Sequence, residues 1–581
     1  MEKLTNFSCF SLHSTFCYPA FTGFNQDEER SVLPCRAVYC GRNFAPITAA
    51  RIITFMQQPS NSLSTLKMPY FFVFSTILLP WLNPFSPGPT PAIVPFLFSS
   101  VCAAICSVAL QLSHRTTQRG QAESVIALAW LIAAGTSSAI GLLQYFGTTE
   151  WAGLWINHTG LGEAYGNLRQ RNQFATLLNI GLATSIYFAH HQQHDAHSHT
   201  SSESHLPRVM LLTVTALLSI GNAASSSRTG LVQLVLLVIL AWMWGRHEMT
   251  AIEHTQPQRR VVNKVLVIAL LTYVLATVVL PWLVGLDPSS SSAWARLRAG
   301  DAQCSSRLTL WSNVLHLIAQ KPWAGWGWGE LDYAHFITLY PGARFCAILD
   351  NAHNLPLHLA VELGVPVALL VCGVMIGLVW HARPWRESNP SRQLAWSVLA
   401  VIGLHSLLEY PLWYGPFQMA TLLSIWILWR IPADRDGAPR PARTSLHLPY
   451  VSALTAASLI ALCGFSAWNY QLASQIYMAP ADRMSMYREN TLEKINNVIL
   501  FQDQVQFAKL TTTELDAANA QEVHDQALAM LHFSPEERVV EMLLNSCKLL
   551  GRTDEISFLA PRYKAAFPEA YANWQASQAK P

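Results

Sequence analysis

The amino-acid sequence predicts an all-α polytopic membrane protein of about eleven transmembrane helices, with one large loop on the outer side and a C-terminal helical domain of tetratricopeptide-like character. Three observations predict it. The 581 residues are 51% hydrophobic and only 13% charged, against about 25% charged in ordinary soluble proteins. Apolar runs of the roughly 20 residues needed to cross a hydrocarbon core recur from Met68 to about Tyr470, and beyond that point the chain becomes polar and helix-patterned. The basic residues are dispersed and the net charge is only +3, so no nucleic-acid partner is expected. The eleven cysteines include no CxxC pair and no Cys/His zinc spacing, so no metal or redox cofactor is expected either.

Residues 1–67 stand apart: they hold Cys9, Cys17, Cys35 and Cys40 but no apolar run that could span or serve as a signal-peptide core. They read as a disordered extension or a mis-called start. From Met68 the candidate spans begin near Met68, Pro91, Ser124, Phe174, Val209, Thr229, Lys264, Leu355, Gln393, Phe417 and Leu448, seven in residues 68–286 and four in residues 355–470. Lys and Arg gather in the connections His114–Gln121, Gly245–Lys264, His381–Arg392 and Arg430–Ser445. All four fall on one side only if the count is eleven, and the positive-inside bias makes that side the cytoplasm. The other side receives Thr148–Gln173, the Asn222–Arg228 turn, the large loop over residues 287–354, Glu409–Pro416 and the domain over residues 471–581.

A loop as long as 287–354 among short connections points to function, and its arginines run against the charge bias. Arg296, Arg298, Arg307 and Arg344 lie in it, with Arg169 and Arg171 in the first outer loop and Arg228 in the second. Cations kept on the outer side suggest an anionic ligand at the interface, or contacts with lipid phosphates. Arg307–Phe336 (RLTLWSNVLHLIAQKPWAGWGWGELDYAHF) opens as an amphipathic helix that Lys321-Pro322 ends. The alternating Gly and Trp after it read as a wall for a sugar or isoprenoid, or as interfacial anchors. In DNAHN, Asn351 and Asn354 flank His353, an imidazole they could fix for proton transfer from a hydroxyl; a helix-capping cluster is the other reading. His358, five residues on, is a weaker candidate. Leu168–Leu178 packs Gln170, Arg171, Asn172 and Gln173 together, and His405–Phe417 puts Glu409, Tyr410 and Tyr414 at a proline-interrupted turn. All these polar groups map to the outer face.

RLTLWSNVL, PWAGWGWGEL, NAHNLPLHLAVELG and LEYPLWYGPF together resemble the bacterial O-oligosaccharyltransferases of the pilin-glycosylating (PglL) type, within the O-antigen ligase and polymerase (Wzy_C) superfamily. The likeness extends over roughly Met68–Tyr470. It implies an enzyme of the bacterial inner membrane with a periplasmic active site and no cofactor. It implies transfer of an oligosaccharide from undecaprenyl pyrophosphate to Ser/Thr hydroxyls of a periplasmic protein such as pilin, with inversion and without a required metal. It assigns the loop histidine to His353, the amide before the fourth span to Gln170 and the tyrosine of the Tyr-Pro turn to Tyr410; many relatives have Gln-Pro-Asn where this chain has Gln170-Arg171-Asn172. On that reading His353, Glu409 and Tyr410 are catalytic, while Gln170, Arg171, Asn172, Arg228, Arg298, Arg307, Asn351 and Asn354 bind substrate. Ligation of O-antigen to lipid A core, or polymerisation of lipid-linked repeats, is the alternative within the class. A polysaccharide or lipid transporter is the alternative outside it, and would place charges nearer the midplane.

Two remaining stretches carry less. His190–His205 reads as a cytoplasmic linker. In the tail, Ser534 with Glu537 reads as a capping box, Pro535 as the first helical residue, Gly551 as the stop, and Asp554–Ala566 as a second helix pairing with the first.

Overall fold

A computed structural model describes residues 68–114, 121–191, 207–249, 256–287, 304, 306–432, 449–495 and 498–578. The expectations for residues 1–67, for most of the histidine-rich linker, and for Arg296 and Arg298 lie outside these residues. Among the described residues seven α-helices precede the large loop: α1 (Met68–Leu82), α2 (Ile93–His114), α3 (Gln121–Tyr145), α4 (Arg171–His191), α5 (Arg208–Ala224), α6 (Arg228–Met249) and α7 (Gln256–Leu283). The loop itself holds α8 (Arg307–Gln320) and α9 (Leu331–Ile337). Then come α10 (Leu355–Leu363), α11 (Val365–Ala382), α12 (Pro390–Ser406), α13 (Gly415–Arg430) and α14 (Pro449–Ser474). The C-terminal part comprises α15 (Thr491–Ile495), α16 (Gln502–Thr512), α17 (Ala520–Met530), α18 (Glu537–Leu549), α19 (Thr553–Ala566) and α20 (Pro568–Gln578).

A helix starts within three residues of every predicted span but the seventh, where α7 begins at Gln256 rather than near Lys264. Six of them, α2, α3, α6, α7, α11 and α14, are long and apolar enough to cross a membrane, while α1 and α5 are apolar but shorter. The described residues therefore make a helical membrane protein with six such helices. The reason the others fall short is clearest in α4. Every residue from Asn172 to Ala189 is buried, because α3, α5, α6, α7 and α12 pack around it. A helix that touches protein on all sides has no need of a lipid-compatible surface, so Asn, Thr and Ser are accommodated where partners satisfy them. Small residues let the neighbours close in: a Cβ at Gly181 would stand 2.5 Å from the Ala134 Cβ, and one at Gly141 would stand 2.4 Å from the Phe174 ring. α11 is the opposite case. Only Ala368 is buried, and Leu369, Leu370, Ile376 and Trp380 face outward, an apolar surface that hydrocarbon rather than water must cover.

The eighth predicted span requires a correction. It does not run on from Leu355 but divides at Gly364, whose φ is +88° and where a Cβ would meet the Trp323 carbonyl oxygen at 2.1 Å. The Gly-Trp run folds beneath the end of α10: the Trp326 N–H donates to Val361 O (2.8 Å), the Gly327 N–H to Glu362 O (3.0 Å) and the Val365 N–H to Pro322 O (2.8 Å). Gly325 and Gly327 take positive φ to make those bonds, which satisfy carbonyls that a helix end leaves open. The run is thus a cap that holds α10 against the loop. Leu310, Val314 and Leu317 of α8, Leu331 of α9 and Val361 of α10 form the core beneath it, and a Cys304–Cys346 disulfide joins the two arms of the loop.

The C-terminal helices enclose Val539, Val540, Leu543 and Leu544, and Phe336 of α9 belongs to the same core. Around it Tyr333 stacks on His532 at 3.8 Å, His532 Nδ1 lies 2.7 Å from Glu330 Oε2, and Arg562 Nε donates to Ile337 O at 2.6 Å. The capping box is a second correction. α18 begins at Glu537 with Glu536 at the cap position, because Ser534 Oγ turns to the Glu536 carboxylate at 3.1 Å rather than to the helix. α18 and α19 do pack on each other, and Gly551 follows α18 at φ +68°.

Two outcomes follow from this packing. Replacing Cys304 and Cys346 by Ser frees a 42-residue separation and lowers stability by about 2–4 kcal/mol; an unchanged melting temperature under oxidising conditions would contradict it. Burial pushes the Asp332 carboxyl up to about 8 from 3.8, the Tyr333 N–H only partly opposing. Since the folded value lies above the unfolded one, its penalty grows as pH rises between those values. Asp332→Asn therefore raises the melting temperature at pH 9 and adds nothing at pH near 3.5, and equal gains at both would count against this cause.

Candidate functional site

The site is assembled where α4, α8, the DNAHN turn and the turn after α12 meet. Glu409 is its centre. One carboxylate oxygen, Oε1, accepts from Arg307 at the start of α8 and from Asn172 Nδ2 of α4 at 3.1 Å. The other, Oε2, lies 2.9 Å from His353 Nδ1. Burial pushes the Glu409 acid up, but His353, Arg307 and His405 pull it down harder, to about 2. It is therefore an anion at any physiological pH.

An anion against Nδ1 fixes the tautomer: Nδ1 carries the proton and Nε2 presents its lone pair. The backbone supports this placement. His353 has φ +50°, a left-handed conformation uncommon outside glycine, which its N–H stabilises by donating to Asn351 Oδ1 at 2.9 Å. Asn354 caps α10 by accepting the Leu357 N–H at 3.1 Å, and its amide donates to Leu407 O at 3.0 Å, tying the histidine turn to the Glu409 turn. Trp311 Nε1 donates to Ala352 O at 3.1 Å, tying the same turn to α8. Tyr410 meets the His353 ring edge-on at 5.0 Å and stacks on Tyr414 at 6.0 Å.

The structure thus brings His353, Glu409, Tyr410, Arg307, Asn172, Asn351 and Asn354 together. Three residues are placed otherwise. Arg171 turns to its own loop, 2.9 Å from the Tyr165 hydroxyl and 3.5 Å from Glu163 Oε1. Gln170 accepts the Gln173 N–H at 2.7 Å and caps the first turn of α4. Arg228 adjoins the cluster through its neighbour, since Ser227 Oγ donates to Asn172 Oδ1 at 2.6 Å. Arg298 lies outside the described residues.

Beneath Asn172 runs a polar ladder that the sequence reading did not single out. Thr176 Oγ1 contacts His405 Nδ1 at 2.9 Å, Gln233 Nε2 donates to Thr176 Oγ1 at 2.9 Å and to Val401 O at 3.0 Å, and Asn179 Nδ2 donates to Gln233 Oε1 at 3.2 Å. A signal was available for part of it: Asn172, Thr176 and Asn179 recur at i, i+4 and i+7 and so share one face of α4.

As acid–base chemistry, this arrangement offers one proton acceptor, His353 Nε2, whose gain of charge Glu409 would stabilise, and one fixed cation, Arg307. Arg307 also keeps a buried Nε with no hydrogen-bond partner, a donor left over for an anion. For metals, His524, Cys547 and Glu555 lie close enough to share an ion, but Arg552 stands 2.8 Å from Glu555 Oε1 and 3.3 Å from His524 Nε2. A guanidinium there already neutralises the carboxylate.

Removing the carboxylate should expose how much rests on it. Glu409→Ala leaves buried cationic and amide groups unpaired and costs about 3–5 kcal/mol, read as a fall in melting temperature in detergent. Because its folded pKa is depressed from 4.5 to about 2, this contribution is full above pH about 4.5 and is lost as pH falls toward 2; a Glu409→Ala deficit that persists undiminished at pH 2 would contradict it.

Comparison with known families follows the same residues. Residues 164–188, which hold Asn172, match a family described as protein glycosylation ligase. Residues 213–372, which hold Arg307 and His353, match O-antigen ligase. Residues 393–581, which hold Glu409 and Tyr410, match the C-terminal part of the virulence factor membrane-bound polymerases. Two curated relatives come from Acinetobacter baylyi: a general O-oligosaccharyltransferase, 26% identical, and a ComP-specific O-oligosaccharyltransferase, 25% identical, each match covering 44% of this chain and 42% of the relative. The chain thus spans less than half the length of the curated relatives it matches. The histidine turn, its arginine and its glutamate each fall inside a matched region, so over these stretches the chain is similar to the O-antigen ligase (Wzy_C) family and to the PglL-type O-oligosaccharyltransferases.

Proposed function

We propose that this protein transfers an oligosaccharide from undecaprenyl pyrophosphate to a Ser or Thr hydroxyl of a periplasmic protein, pilin being one candidate, at the outer face of the bacterial inner membrane. The observation that carries it is the contact of His353 Nδ1 with a Glu409 carboxylate that Arg307 and Asn172 hold in place. The acceptor hydroxyl gives its proton to His353 Nε2 while its oxygen bonds the anomeric carbon, and the bond from that carbon to the pyrophosphate oxygen breaks. Attack opposite the leaving group inverts the centre. Arg307, through its unused Nε, and Arg228, which follows the Ser227 that bonds Asn172, stabilise the departing pyrophosphate. Tyr410 packs the imidazole in position.

Eleven crossings belong to this reading, with α4 crossing inside a protein sheath, α12 and α13 crossing partly buried, and α10 lying outside the bilayer. A disulfide within the large loop supports an oxidising, periplasmic side for it. The tetratricopeptide-like tail, docked on α9, would receive the protein acceptor. The match of residues 393–581 to the polymerases favours a second reading, in which the acceptor is another lipid-linked glycan.

Reconstitution with lipid-linked oligosaccharide and, in turn, pilin, lipid A core or no added acceptor separates these readings by which product is glycosylated. Lipid crossing the vesicle with no glycan transferred would favour a transporter. His353→Ala should lower transfer by about 100 to 10,000-fold with the melting temperature kept; a folded variant that transfers at the normal rate refutes the role assigned to His353.

A further inference from the structure

One buried group beside the site has no use in the chemistry above. His358 is 3% exposed, and its Nδ1 is buried with no hydrogen-bond partner. Its Nε2 lies 3.5 Å from Glu362 Oε2, one turn on in α10. The ring lines a cleft together with Asn351, Ser406, Glu409, Tyr410 and Trp413, so His358 and the Glu409 group border the same space. Trp413 meets the His358 ring edge-on at 5.2 Å and stacks against Trp328 at 6.3 Å and 13°. Both indoles thus pack against the imidazole, Trp328 at 6.1 Å and Trp413 at 5.2 Å.

A ring nitrogen buried without a partner costs about 1–3 kcal/mol, and a fold keeps such a group where a polar atom arrives during function or where it holds water. The Glu362 carboxyl 3.5 Å from Nε2 makes no hydrogen bond with it, but its charge favours the proton on that nitrogen and leaves Nδ1 as the acceptor, a match for an alcohol O–H. We infer that His358 is a substrate-binding residue that accepts, through Nδ1, a hydrogen bond from an alcohol hydroxyl entering the cleft beside Glu409 and Tyr410. The inference rests on the transferase reading, whose two substrates both carry such hydroxyls: the sugar next to the pyrophosphate, and the Ser or Thr of the acceptor. His358 binds and positions; His353 takes the proton.

Two substitutions separate this role from a structural one. An asparagine amide reproduces the position of Nδ1, and a glutamine amide reproduces that of Nε2. Substrate binding through Nδ1 predicts that H358N keeps KM near wild type while H358Q raises it by about 3–10-fold, the worth of one neutral hydrogen bond, with both variants melting like wild type. A rise in KM for undecaprenyl-pyrophosphate-linked oligosaccharide assigns the hydroxyl to the sugar, and a rise for a serine-containing acceptor peptide assigns it to the acceptor. The opposite pattern, H358Q normal and H358N impaired, would make His358 only a partner of Glu362 and overturn the inference. So would both KM values staying unchanged in H358Q, which would leave water as the occupant. The dissociation constants of the same two probes in nanodiscs give a readout that needs no turnover. Wild type binding both probes but transferring nothing would sink the proposed function, while the Asn and Gln variants would still decide the role of His358.

Discussion

The carboxylate of Glu409 is the interaction on which the site depends. An ion this deeply buried is unstable unless neighbouring charges and hydrogen bonds replace the water it has lost. Here the replacements come from three distant parts of the chain: Arg307, Asn172 and His353. Each is a hydrogen-bond donor, so the carboxylate sets which atom of each faces inward. It converts a histidine in a turn into one with a defined tautomer, and it holds an arginine with one donor still uncommitted. No single helix could present those groups; the anion gathers them.

The polar interior of α4 belongs to the same design. A membrane helix facing lipid must be apolar along its length, as α11 is, whereas a helix sheathed by protein can carry Asn172, Thr176 and Asn179 on one face. Their bonds to Gln233, His405 and backbone carbonyls give Asn172 a supported position below Glu409. The ladder ends at the carboxylate. Among the described residues, ion pairs of the bundle sit at helix ends: Glu409 with Arg307 at the site, and Glu123 with Arg430 and Glu387 with Arg392 at the opposite ends of α3, α13 and α12.

Much of this was legible in the sequence, because its signals are local. Apolar runs located the helix starts, all but that of α7, to within three residues, and the proximity of histidine and asparagines in DNAHN, or of glutamate and tyrosine in LEYP, is written in the chain itself. What escaped depends on tertiary partners. Gly364 breaks the Leu355 segment because the Trp323 carbonyl lies against it, a neighbour forty residues away. The Cys304–Cys346 pairing has no spacing signature. Arg171 looked equivalent to Arg307, but Glu163 and Tyr165 in its own loop claim it, while Arg307 finds its carboxylate only after α8 packs. Ser534 failed as a cap because Glu536 offered a nearer partner. In each case local chemistry permitted two outcomes and packing selected one.

The same dependence on packing joins the C-terminal helices to the chemistry. Phe336 of α9 is buried among the residues of that domain, and α9 shares a core with α8 and α10 through Leu331. α8 starts at Arg307, and α10 starts at the Asn354 cap beside His353. The domain therefore rests on an element whose other side supports both the cation and the imidazole of the site. On the proposed function, where a misplacement of about 1 Å costs rate, a partner bound to those helices would act on the loop through packed side chains rather than through a flexible tether. An acceptor delivered there would meet a site whose geometry the same contacts hold in register.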